Sequence, residues 1–181
     1  MDNRHYSISQ LKDLVSWQLG RVPEIDFEVE ALCEYGWPAV IRNSPYNTNG
    51  FPNANLYYLS CPYLRIEIAR LEDSGAISEL EDRINSRKIL RDDLVRCQVA
   101  HQEEWRRAAE KGLREGIRES NYIAGVSEVS RLKCLHAHFA FFLAHRDYLA
   151  GALIADSLGS IWCDDERCCR WKGTDIDNSD S

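Results

Sequence analysis

Apolar and polar positions change period several times along the chain, and each change predicts an element. Leu11, Leu14, Val15 and Leu19 fall on one helical face. Ser7 with Gln10 three residues on forms a capping box before that face, and Gly20 stands where a helix end takes a left-handed residue. Ile25, Phe27, Val29 and Ala31 then alternate with Asp26, Glu28 and Glu30, the period of a half-buried strand. Cys33 to Pro38 carries turn chemistry. Ala39 to Ile41 reads as a second strand. Asn43 to Asn55, with Asn49-Gly50 and two prolines, reads as a loop, and Leu56 to Leu59 as a third β-prone run. A small antiparallel sheet follows.

Past Cys61 the period becomes helical. Pro62 suits the first helical position, Leu64, Ile68 and Leu71 follow, and Ser74-Gly75 closes the segment. A further helix is expected from Ala76 to a break near Asn85-Ser86. A long stripe then runs through Leu90, Leu94, Cys97, His101, Trp105 and Ala108 and stops at Gly112. Gly112 to Ser127 reads as a loop with a weak internal echo, Gly-Leu-Arg-Glu and Gly-Ile-Arg-Glu. Glu128 to His145 is predicted as one helix. It is apolar nearly all round at its centre, so it should be the buried central helix. A last helix is expected over Asp147 to Leu158. The pattern predicts an α+β fold, a small N-terminal antiparallel sheet packed on a mainly helical body. It forms one domain over residues 1–163, followed by an acidic, cysteine-containing tail over 164–181 that ends in disorder.

Composition fits that picture. The chain has 181 residues, 44% hydrophobic and 28% charged, which suits a globular domain with its own core. Its 22 Lys and Arg against 29 Asp and Glu leave a net charge of −7, which argues against a duplex nucleic-acid partner. The N-terminus has no apolar signal core, and the apolar stretch from Ala137 to Ala144 is far short of the ~20 residues of a membrane span. A cytoplasmic protein with no membrane partner is expected. Seven cysteines, an odd number, then point to thiols, metal ligands or catalytic groups rather than disulfides.

Candidate chemistry concentrates on cysteine and histidine. On the predicted central helix Cys134 and His138 are four apart and share a face, with His145 two turns further on and His136 on the opposite side. Such a pair can place two ligands on one metal. The plain alternative is core packing, although neutral imidazoles in a core need partners. Cys61 precedes a helix start, where unpaired N–H groups and the helix dipole favour thiolate. Cys33 lies in a tight turn able to wrap an ion. Cys97 and His101 sit on an apolar stripe, where packing is the better reading for the cysteine. Cys163, Cys168 and Cys169, near Trp162 and Trp171, can clip a metal or cap a neighbouring site. Arg114, Arg118, Arg131 and Lys133 surround the glycine-bearing loop. They suit a phosphate or carboxylate, or else a solvated face paired with Glu115, Glu119 and Glu128.

Several short motifs occur in a recognisable order. They are Gln18 to Arg21; Cys33, Gly36, Pro38, Val40 and Ile41; Tyr57 to Leu64; Leu71-Glu72 with Gly75; and Lys133 to His138. In this order the chain resembles the uncharacterised bacterial family called domain of unknown function 501, over roughly Gln18 to His145. Ser60 replaces the threonine usual in the family's tyrosine-leucine-threonine-cysteine-proline run, and the segment before Lys133 is looser. The resemblance implies a bacterial cytoplasmic protein and no established activity. It places Cys33, Cys61, Cys134 and His136 inside family motifs.

The leading expectation is a zinc or iron–sulfur protein, an enzyme on a small anionic substrate. Cys33, Cys61, Cys134 and His138 are the metal candidates. His136, His101 and Lys133 are the catalytic candidates, and Arg131 and Arg118 the substrate-binding ones. The alternatives are a metal-free thiol enzyme using Cys61 and a non-catalytic protein that binds a partner of unknown identity.

Overall fold

The computed structural model describes residues 6–110 and 122–172. Its elements, in order, are α1 (Ile8–Leu19), β1 (Phe27–Leu32), β2 (Pro38–Asn43), β3 (Tyr57–Leu59), α2 (Pro62–Asp73), α3 (Ala76–Asn85), α4 (Lys88–Glu110), α5 (Leu135–Ala144) and α6 (Leu149–Ser157). Short 3₁₀ turns cover Ile123–Gly125 and Arg167–Arg170. The expected α+β architecture is therefore present.

Local chemistry sets the element ends. Ser7 and Gln10 exchange the two hydrogen bonds of the capping box, and Gly20 closes α1 with φ 70°. The sheet is antiparallel in the order β1-β2-β3. Val29 pairs with Ile41, and Val40 with Leu59. The central strand is covered on both sides. Ile41 packs with Val15 and Leu19 of α1, whereas Val40 and Leu59 join the main core. Pro62 opens α2 directly after its cap residue Cys61.

α5 is the centre of the helical body and packs on β3, α2 and α6. Phe139 and Ala140 are fully buried, and Phe141 is nearly so. Each large apolar side chain so placed contributes about 1.5–3 kcal/mol. Gly151 of α6 lets the two helices approach, because a Cβ there would stand 2.2 Å from Phe142 Cβ. Among the described residues, no helix is long and apolar enough to cross a membrane.

One boundary differs from the predicted one. The central helix does not begin at Glu128. Cys134 is its cap, in extended conformation at φ −146° and ψ 113°. The preceding backbone is held by acidic side chains of neighbouring helices instead of by helical bonds. Leu132 N–H donates to Glu81 Oε1 at 2.8 Å, and Leu135 N–H to Glu72 Oε1 at 2.5 Å. Tertiary partners thus outbid the local periodicity. Residues 111–121, which include Arg114, Arg118 and most of the expected loop, lie outside the described residues, as do 173–181.

Candidate functional site

The start of α5 meets one face of α2. Arg65 and Glu72 are seven residues apart on α2 and share that face. Glu72 Oε1 accepts the first N–H of α5, the favourable place for a carboxylate on a helix. Its other oxygen, Oε2, lies 3.2 Å from His136 Nδ1. His136 Nε2 donates to the Arg65 carbonyl at 2.9 Å. Cys134 completes the group. One ligand atom each from Glu72, Cys134 and His136 lies within 4.8 Å of the other two. All three residues are half-buried.

The cap conformation explains why Cys134 and His136 meet. In a continuous helix, residues two apart diverge. In an extended segment they lie on the same side. Because Cys134 is extended and His136 sits in the first turn, both face α2. The same change of backbone separates Cys134 from His138, so the shared helical face expected for that pair does not exist. The hydrogen bond with Cys134 pushes His136 up to about 9, against the opposing effect of burial and with help from the Arg65 carbonyl and the Glu72 charge. Beside the group opens a cavity of about 250 Å³ lined by Cys134, His136, Arg65, Asn55 and Tyr58 among others. Arg65 is steadied there by a bond from Nη1 to the Gln18 carbonyl at 3.1 Å.

The remaining candidates lie elsewhere. His138 is fully buried and hydrogen-bonds through Nδ1 to the Tyr148 hydroxyl at 2.6 Å. Burial lowers it to about 3. His101 is also in the core, where Nε2 accepts the Leu56 N–H at 3.4 Å and burial lowers it to about 4. Neither imidazole reaches the Glu72 group, and both read as core residues. Cys33 and Cys61 line a separate small cavity together with Cys163 and Cys168. The four residues expected as one ligand set, Cys33, Cys61, Cys134 and His138, are therefore split among three places. Cys61 caps α2 as expected, but burial pushes its thiol up to about 12 and outweighs the Leu64 and Tyr63 N–H groups that lower it. Cys97 is a buried core residue. Arg131 pairs with Glu81 at 3.1 Å and, with Lys133, lines a third cavity of about 550 Å³ that no cysteine lines.

Two acidic residues with site roles were not among the sequence candidates. Glu72 is one, although it stands inside the motif Leu71-Glu72 to Gly75. Glu104 is the other. It accepts from the Tyr57 hydroxyl at 2.6 Å and lies 3.3 Å from His145 Nε2, at the edge of a broad cleft of about 1080 Å³. Burial raises Glu104, but the bonds from His145 and Tyr57 prevail and lower it. Its hydrogen bond in turn raises His145. This cluster ties β3, α4 and the end of α5 together.

A family model described as "Protein of unknown function (DUF501)" matches residues 29–156, well over half of the chain. No curated protein and no solved structure matches.

Proposed function

The chain belongs to the DUF501 family, whose description supplies no activity, and from that premise we propose a metal-binding protein whose centre is Glu72, Cys134 and His136. The observation that carries this reading is the convergence of one carboxylate, one thiol and one imidazole from two elements within 4.8 Å. The second hydrogen bond of His136 supports it. A metal-bound imidazole characteristically donates its other ring N–H to a carbonyl or carboxylate, and His136 Nε2 already does so to Arg65. That leaves Nδ1 toward Glu72 and the metal position.

The donor set favours zinc. Oxygen, nitrogen and sulfur ligands in a group of three suit zinc with a fourth position free, the arrangement of catalytic rather than structural sites. An iron–sulfur cluster is held by several thiolates, and Cys134 is the one cysteine of this group. Zinc in such a site supplies Lewis acidity and a low-pKa water. The protein's own groups define the rest. Glu72 holds both the head of α5 and the imidazole edge. Arg65 brings a cation to the adjoining cavity, so a small anionic substrate suits it better than the Arg131 and Lys133 side of the molecule. An enzyme acting on such a substrate in the reducing cytoplasm is the resulting reading.

Zinc titration against a chromophoric chelator tests it. Glu72→Gln, Cys134→Ser and His136→Ala should each weaken one binding event by at least the ~10–100-fold that losing even a supporting group costs. Unchanged titrations in all three would overturn the metal centre. A second, metal-free reading rests on the approach of the Cys134 sulfur to the His136 ring, within 4.8 Å. It makes Cys134, in place of Cys61, the nucleophile of a thiol and imidazole pair. Under that reading Cys134 alkylates at neutral pH whether or not zinc is present. Under the leading one zinc protects it.

A further inference from the structure

Four cysteines that the centre at α5 does not use come from three separate parts of the chain to one place. Cys33 stands in the turn between β1 and β2, Cys61 caps α2, and Cys163 and Cys168 flank a turn after α6. All four line one small cavity of about 10 Å³, walled by Trp37 and Trp162 among others. That is room for a single water-sized occupant. No cysteine of the chain is in a disulfide. Cys168 packs in a small core with Leu14 and Trp37.

Two of the four sulfurs are met by N–H donors. At Cys33, burial raises the thiol while the nearby Trp37 and Tyr35 N–H groups work the other way. Cys61 stands at the head of α2 without a side-chain cap bond of its own. The Arg167 N–H points at Cys163 Sγ from 3.4 Å, and Gln18 Nε2 at Cys168 Sγ from 3.3 Å. A neutral thiol needs little of this, being a weak acceptor. A thiolate bound to a metal carries charge, and such donors orient and compensate it. Gln18 is itself 3% exposed, and its Nε2 also donates to the Pro38 carbonyl at 2.9 Å. The donor to Cys168 is therefore fixed in place.

We infer that Cys33, Cys61, Cys163 and Cys168 form a second, closed metal site that takes one tetrahedral zinc ion and fastens the segment after α6 to the turn before β2. The single-occupant cavity fits one ion. The Cys163 to Cys168 spacing of four intervening residues is at the long end of the usual structural-zinc range. No three of the sulfurs lie within 4.8 Å of one another. Loading therefore draws them inward until each stands ~2.3 Å from the ion. Four S–H protons leave to solvent, four Zn–S bonds form, and no electron moves. With four protein ligands the site has no open position, so its role is structural.

Cobalt(II) titration of the full chain carrying His136→Ala tests this without the first centre. The inference expects one cobalt per chain with intense thiolate-to-metal charge-transfer absorption of a four-sulfur site. That absorption should disappear on adding Cys168→Ser. Where that variant fails to fold, peptide-resolved alkylation of zinc-loaded His136→Ala protein decides. Cys33, Cys61, Cys163 and Cys168 should be shielded until a chelator is added, while the exposed Cys169 reacts throughout. No cobalt charge transfer in His136→Ala protein, or four cysteines as reactive as Cys169 with zinc present, overturns the inference. A four-sulfur spectrum that is the same in wild type and His136→Ala, with equal stoichiometry, upholds this site and sinks the centre at α5.

Discussion

His136 and His138 stand two residues apart on one short helix and live in opposite worlds. His136 faces α2, half exposed, with an acceptor at each ring nitrogen and a thiol beside it, and is held up to about 9. His138 faces the core, bonds a tyrosine hydroxyl, and is held down to about 3. The lesson is that residue type proposes chemistry and the face decides it. Neutral imidazole in the core is a packing element. Imidazole at the head of the helix is a ligand or a proton carrier.

The largest effect belongs to the buried side. His138 and His101 are held below the ordinary histidine value of 6.5, at about 3 and about 4. The unfolded chain therefore binds more protons than the folded one below pH ~6.5. The contribution of these two histidines to stability is full above that pH and is lost as the pH drops toward ~4, with a slope approaching ~2.7 kcal/mol per pH unit for two protons. Urea unfolding across this window should show that limb. The double variant His138→Leu/Tyr148→Phe should roughly halve it, and an unchanged slope would remove His138 from the account.

Phe139→Ala comes next. The side chain is fully buried, so truncation should cost ~3–5 kcal/mol by denaturant melts. Zinc affinity of the folded protein should stay within twofold of wild type. A matching loss of zinc would mean that the two sides of α5 are not independent. Gly151→Ala should cost less, ~1–3 kcal/mol, because the new Cβ collides with Phe142 and α6 must shift. The smallest effect is expected at Arg131→Ala. Its pair with Glu81, exposed on the arginine side, should be worth less than ~1 kcal/mol in thermal unfolding, and zinc titration should be unchanged. A large drop in zinc affinity there would restore Arg131 to the site.

Most of the fold was legible. The capping box at Ser7, the alternation over Ile25 to Ala31, Pro62 after Cys61 and the glycines at helix ends are local signals, and the elements end where they point. The head of α5 was not. Its seven preceding residues have helical periodicity, but Glu81 and Glu72 take Leu132 and Leu135 N–H instead, and a bond between distant residues leaves no periodic trace. That one difference removed the Cys134 and His138 pairing and created the Cys134 and His136 one. Glu72 was visible as part of a motif but carried no chemical signal by itself. Likewise Cys33 and Cys61 were marked as ligands, but their joining with Cys163 and Cys168 depends on how the chain after α6 returns to Trp37.

The most direct test of the central claim is the zinc content per chain of wild-type and His136→Ala protein, each loaded with excess zinc and freed of loosely held ion. The account predicts one equivalent fewer in His136→Ala, with the fold retained by circular dichroism. Equal zinc in the two proteins would contradict it.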